Sequence, residues 1–192
     1  MAKKILKKKN TGPKLFQKAK KLIPSGNMMI SKNPDLFLPN VWPSYFKKTK
    51  GCFIWDLDNK RYIDMSLMGV GTNILGYGNK EIDNAVKKSL SRGNMSSLNC
   101  LEEVQLAESL IKLHPQFDMV KFAKTGGEAN SVAIRIARAA AGRDKVAICG
   151  YHGWHDWYLA AGLNKGGNKN FRGHLANDLG INGVPKSLKK TT

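Results

Sequence analysis

Two short groups of residues carry types and spacings that can do chemistry. The first is Thr125-Gly126-Gly127-Glu128. The second is Tyr151-His152-Gly153-Trp154-His155-Asp156-Trp157. Thr-x-x-Glu is the capping-box pattern of a helix start, in which the Thr oxygen accepts from a first-turn amide and the Glu reaches back. Two adjacent glycines do something a cap does not need. They strip the first turn of side chains and leave backbone N–H groups open at the positive end of the helix dipole, which is how a phosphate is seated. Cap and phosphate site are both open readings of this turn. It is not a P-loop, because no Gly-Lys-Ser/Thr follows, and it lacks the G-x-G-x-x-G spacing of a dinucleotide fingerprint.

The second group offers an aromatic and two imidazoles. An aromatic such as Tyr151, placed beyond the carboxyl end of a strand in an open parallel sheet, can stack on a flat ring whose phosphate occupies a nearby helix start. A metal reading competes: Cys149, His152 and His155 are three apart and are acceptable ligand types. A fourth ligand is not evident, and Cys149 should point into the core as part of a strand, so no metal is assigned. Structural histidines and tryptophans at a core edge are the plain alternative.

These groups need elements to position them. "MVKFA" (119–123) reads as a strand, 128–141 as a helix and "KVAIC" (145–149) as a second strand, giving a β-α-β unit. The alanines of that helix suit close packing on a sheet. Upstream, "GCFIWDLDNKRYIDM" (51–65) reads as a hairpin around Asp58-Asn59. Residues 80–92 and 101–113 carry apolar residues at helical spacing. Residues 14–23 form a further helix, stopped at Pro24-Ser25-Gly26. The stretch 33–50, with three prolines among its aromatics, reads as an extended segment lying on another surface. Glycines 69, 71, 76 and 78 make a loop. Beyond Tyr158 the chain loses apolar periodicity and reads as a loop with a basic end. The domains expected are a disordered basic arm (1–13), a small N-terminal segment (14–78) and the start of a large domain (79–192).

Composition narrows the classes. At 192 residues and 42% apolar, the chain can build one core of ordinary size. No run approaches the ~18 apolar residues of a membrane span, and the charged N-terminus lacks the apolar region of a secretory signal. Three widely spaced cysteines argue against a disulfide framework and for a reducing cytoplasm. The net charge of +18 invites a nucleic-acid reading, but residues 1–22 hold nine lysines and no acid, and only six of the 32 basic residues are Arg. Specific recognition of phosphates and bases favours the Arg fork, so a solvated lysine-rich tail is preferred to a nucleic-acid surface.

Taken together, "GCFIWDLDNKRYIDM", "NILGYGNKEIDNAV", "EEVQLAESLIKLHP" and "MVKFAKTGGEANSVAIRIARAAAGRDKVAICGYHGWHD" resemble the N-terminal part of the class III pyridoxal-phosphate-dependent aminotransferases, nearest the glutamate-1-semialdehyde aminotransferase (2,1-aminomutase) branch. The resemblance runs from about Lys14 to Val184. It implies an α/β fold, the N-terminal half of a fold-type-I transferase: a small N-terminal segment and the start of a large, mostly parallel sheet. It implies pyridoxal 5′-phosphate as cofactor, held at its phosphate by Thr125, Gly126 and Gly127, stacked by Tyr151, with His152 and Glu128 beside it. Where this chain has Gly127 the family's motif carries Thr. The loop of Ser66, Met68 and Asn73 lies where the family lines its substrate pocket. The substrates implied are amino-donor and carbonyl small molecules, and the partner a second copy or a complementary C-terminal chain. The Schiff-base lysine and the Asp that pairs with the ring nitrogen are expected downstream, so no catalytic residue is assigned within these residues. Lys165-Gly166-Gly167 has the right look, but comes too soon after Tyr151 with no strand to deliver it.

Overall fold

The computed structural model describes residues 9–66, 68–165 and 180–192. It divides into two compact units, residues 1–98 and 99–192. Residues 1–8 of the expected arm and Gly166-Gly167 lie outside the described residues.

In the first unit, α1 spans Thr11–Ala19 and buries Phe16 and Ala19. It starts earlier than the sequence suggests, because a proline in the first turn does not end a helix: its missing N–H would be unpaired there anyway. Asp58, in the turn of the hairpin, accepts from both the backbone N–H (3.0 Å) and the hydroxyl of Thr11, tying that start to the sheet. The expected extended stretch is largely turns. Short 3-10 turns occupy Ile30–Lys32 and Pro34–Leu36 before β1, Phe46–Lys50. Asn33 caps the second, accepting from the Asp35 N–H at 3.1 Å, so a local polar bond overrides the extended bias of the prolines. The stretch does lie on α1, through the Lys20–Asp35 ion pair (2.5 Å) and a Gln17–Asn40 hydrogen bond (3.1 Å).

The strands β2 (Phe53–Asp56) and β3 (Arg61–Ile63) form the hairpin, and with β1 they make an antiparallel sheet of order β1-β2-β3. Its turn is organised by one carboxylate. Asp56, 8% exposed, accepts from the Asp58 and Lys60 N–H groups at 2.9 and 2.8 Å and from the Tyr62 hydroxyl at 3.0 Å. Asn59 supplies the left-handed residue, φ 63°, a conformation Asn tolerates. The glycine loop follows, with Gly69, Gly71, Gly76 and Gly78 all at positive φ. Helix α2, Lys80–Ser91, is capped by Asn79, whose side chain accepts from the Glu81 and Ile82 N–H groups.

The second unit holds α3 (Leu101–Leu113), α4 (Gly126–Ala141) and the single-turn α5 (Asp156–Leu159). The runs 119–123 and 145–149 do not form strands. A parallel strand exists only where neighbours bond it along its length, and among the described residues neither run meets such a neighbour. Among the described residues, the one long-range backbone bond to either is from the Val146 N–H to the Thr191 carbonyl, 2.9 Å. For the same reason the alanines of α4 meet no sheet and no α4 residue is fully buried. Nor does Cys149 point inward; it is exposed.

The core of this unit lies instead where the sequence suggests only loop. Trp157, Tyr158, Leu159 and Ala160 pack with Val184, backed by Ile134, Ile148, Leu163, Ile181 and Leu188. Residues 181–192 therefore return to the body of the unit, and burial of these apolar side chains is what holds them. The apolar stripes of α2 (Ile82, Val86, Leu90) and α3 (Leu101, Val104) are half or more exposed. No helix of the described residues is long and apolar enough to cross a membrane.

Candidate functional site

The site is built at the N-terminus of α4. Thr125 Oγ1 accepts from the Glu128 N–H at 3.2 Å, while Glu128 Oε2 accepts from the Thr125 N–H (3.0 Å) and the Lys124 N–H (3.1 Å). The capping box is complete. It satisfies Glu128 N–H and leaves the N–H groups of Gly126 and Gly127 with no acceptor among the described residues. A Cβ on Gly126 would meet nothing within 4 Å. Two unspent donors thus stand at the positive end of a 16-residue helix, with open space beside Gly126.

A loop closes on this turn. Gly153, at φ 104°, brings its backbone so near that a Cβ would lie 3.4 Å from the Cα of Gly127. The conformation is what favours glycine there, while the approach is an ordinary van der Waals contact. Three side-chain bonds hold the loop to one face of α4. Asn130 Nδ2 donates to the His152 carbonyl at 3.2 Å, Ser131 Oγ lies 2.6 Å from His155 Nδ1, and Trp157 Nε1 donates to Ser131 Oγ at 3.2 Å. Gly127, Asn130, Ser131 and Ile134 fall on that face at the 3.6-residue period.

The aromatics divide by role. Tyr158 is fully buried, donates to the Gly150 carbonyl at 3.2 Å, and has its phenol pKa pushed up by burial. Tyr151 is 62% exposed and meets Tyr158 edge-on, ring centroids 6.0 Å apart at 83°, which leaves much of its ring open. His152 is half-buried. Its ring lies against Trp157 and Tyr158, and its Nδ1 is 3.0 Å from the Gly150 carbonyl. Cys149, His152 and His155 do not converge, and no group of three ligand-type residues does so among the described residues.

Thr125, Gly126, Gly127, Glu128, Tyr151 and His152 are thus brought into one unit. Ser66, Met68 and Asn73 sit on the loop of the other. There Ser66 N–H donates to Asp64 Oδ1 (2.9 Å), and the Asn73 side chain donates to the Met68 carbonyl (3.1 Å), so its amide closes the loop on itself. Asn130 and Ser131 are polar residues of the second unit that motif reasoning passed over, and His155, weighed in the sequence as a metal ligand, bonds to Ser131 instead. Their signal is the shared face with Gly127, readable only once the loop is known to fold back on α4.

The Aminotransferase class-III family model matches residues 39–190. The chain belongs to the class-III aminotransferases. Similar members include the 3-aminobutyryl-CoA aminotransferase of Cloacimonas acidaminovorans, 40% identical over 74% of this chain and 34% of that protein. A glutamate-1-semialdehyde 2,1-aminomutase of Nitrosopumilus maritimus is 37% identical over 91% of this chain and 39% of its own length. Among solved class-III-like structures, an omega-transaminase from Sphaerobacter thermophilus superposes with a TM-score of 0.74 at 25% identity, covering 94% of this chain and 40% of that one. The FumI protein of Sphingopyxis sp. MTA144, solved in a PLP form, gives 0.69 at 32% identity over 76% and 35%. The chain therefore spans about a third to two fifths of the class-III relatives it matches. The fold is a partial α/β domain of fold type I, as the resemblance implied.

Proposed function

We propose that this chain is the phosphate-seating portion of a pyridoxal-phosphate-dependent transaminase or aminomutase, acting on amino and carbonyl small molecules. The carrying observation is the pair of free amides on Gly126 and Gly127, with open space at Gly126, in the same unit as the exposed ring of Tyr151. The fit is chemical. A phosphate dianion needs convergent N–H donors with no side chain in the way, and a flat heteroaromatic ring needs an exposed aromatic face. The cofactor supplies an electron sink for carbanion chemistry at the amino-bearing carbon.

The residues of this chain bind and orient. The amides of Gly126 and Gly127 donate to phosphate oxygens. Tyr151 stacks. Thr125 and Glu128 keep the turn in shape, and both Glu128 bonds run through Oε2 to the backbone, which makes it a cap first. His152 holds the loop against Trp157 and Tyr158. Ser66, Met68 and Asn73 remain our candidates for the substrate side. The lysine that takes the cofactor covalently and the Asp that pairs with the ring nitrogen come from outside these 192 residues, either in a longer chain or in a complementary one. The exposed stripes of α2 and α3 and the unpaired runs 119–123 and 145–149 support such a covering partner, or a second copy.

Titration of the chain with pyridoxal phosphate and with pyridoxal, followed by tryptophan fluorescence and the absorbance of the bound ring, tests this. The expected result is saturable binding that depends on the phosphate, with no borohydride-trapped lysine in this chain. Equal affinity for both ligands, or none for either, overturns it.

A further inference from the structure

We propose that His155 is a third phosphate donor of this site, its imidazole Nε2 standing with the amides of Gly126 and Gly127. This rests on the phosphate-seating reading above and adds a residue to it. Three observations carry it. First, the ring abuts the first turn: a Cβ built on Gly127 would lie 3.0 Å from His155 Nε2, 3.2 Å from Cδ2 and 3.5 Å from Cε1. The imidazole packs so close that a side chain at Gly127 would press it back by a few tenths of an ångström, and it turns a nitrogen edge toward the turn that offers the free amides.

Second, the other nitrogen is spoken for. His155 Nδ1 lies 2.6 Å from Ser131 Oγ, which also accepts from Trp157 Nε1 at 3.2 Å. Ser131 has one proton and two acceptors for it, His155 Nδ1 at 2.6 Å and the Gly127 carbonyl at 3.0 Å. When Ser131 gives its proton to Nδ1 rather than to the Gly127 carbonyl, the neutral ring keeps its own proton on Nε2. A protonated ring carries a proton there as well, so Nε2 is a donor in both of these forms, the two that phosphate binding by His155 requires. Third, Nε2 has no hydrogen-bond partner among the described residues, yet no unpartnered polar side-chain atom among them is sealed from solvent. A donor is held in place, aimed at the turn and reachable.

Ser131 and Trp157 are positioning residues in this arrangement. Gly153 is the backbone device that lets the loop bring His155 in, since its φ of 104° is one that L side chains rarely adopt.

The test compares pyridoxal phosphate with pyridoxal by equilibrium dialysis on the full chain. His155→Ala weakens pyridoxal phosphate by about ten-fold, the loss of one hydrogen bond to a charged group, and leaves pyridoxal unchanged. Gly127→Ser alone also weakens the phosphorylated ligand, because its Cβ displaces the imidazole. The pair Gly127→Ser with His155→Ala regains affinity, as the hydroxyl enters the vacated volume. A reading that needs no substitution uses wild-type chain with 15N-labelled histidine: the Nε2 resonance of His155 shifts with pyridoxal phosphate and not with pyridoxal. If wild type shows no preference for the phosphorylated ligand, the site reading itself fails. If it shows the preference while His155→Ala keeps it, or His155→Ala loses both ligands equally, or the Nε2 resonance is indifferent, the role of His155 is overturned and the site reading stands.

Discussion

Removing the cap at Thr125 should loosen the start of α4 by a set amount. Thr125→Ala deletes the acceptor for the Glu128 N–H, a 3.2 Å bond, and cap substitutions of this kind cost about 1 kcal/mol, or about five-fold in a local opening equilibrium. Glu128→Ala deletes two bonds, from Thr125 and Lys124 N–H at 3.0 and 3.1 Å. Both are exposed, so the cost is about 1–2 kcal/mol, or about five- to thirty-fold. Glu128→Gln keeps an acceptor oxygen in the capping box and loses only the dipole interaction, a few tenths of a kcal/mol up to about 1. The assay is amide hydrogen exchange resolved by residue, with the first two turns of α4 as reporter and α2, capped independently by Asn79, as internal control. The expected order of protection is wild type, Glu128→Gln, Thr125→Ala, Glu128→Ala. If Glu128→Gln exchanges as fast as Glu128→Ala, the carboxylate charge holds the turn and the hydrogen-bond reasoning is refuted. If Thr125→Ala changes nothing, the loop from Gly150 to His155 alone shapes the turn.

Tyr62 and Tyr77 each have a phenol pushed up to about 12, by burial first and then by hydrogen bonds to Asp56 and Asp64. Their stabilising contribution is complete below the ordinary tyrosine value of about 10 and is lost as pH rises through 12; tyrosinate absorbance should show a late step that shrinks in Tyr62→Phe and again in Tyr77→Phe. Tyr158→Ala empties a fully buried site and should cost about 3–5 kcal/mol in denaturant unfolding of the second unit, whereas Tyr158→Phe keeps the ring, loses the hydroxyl's bonds to the Gly150 carbonyl and the His152 backbone, and should cost about 1–3 kcal/mol. Gly153→Ala forces a side chain into φ 104° and should cost about 1–3 kcal/mol, while also weakening pyridoxal phosphate more than pyridoxal.

Local signals made much of this legible in the sequence. Asn79 before α2, the Thr125–Glu128 box before α4 and Asp58-Asn59 between two β-prone runs each fix an element through bonds within four residues. The strands of 119–123 and 145–149 were misread because a parallel strand is a property of its neighbours, and the apolar pattern alone cannot supply them. The burial of Trp157 to Ala160 against Val184 was hidden for a related reason: it joins segments on either side of a polar, glycine-rich stretch. At the candidate site, the turn and the exposed aromatic were visible as motifs. The bond from Ser131 to His155 was not, since nothing in either residue's own vicinity announces the other.

The return of residues 181–192 to the second unit also sets a timetable. Val146 waits for the Thr191 carbonyl, and Trp157 and Tyr158 wait for Val184. On the ribosome, roughly 45 residues separate Val146 from Thr191, which at ~5–20 residues per second is a delay of about 2–9 s. Helix α4 can form early in that interval, but the aromatic cluster beneath its loop stays open to solvent and to any holdase that binds nascent apolar segments. Slow codons between these two points lengthen the interval, so the yield of folded chain depends on elongation rate as well as on the stability of the finished unit.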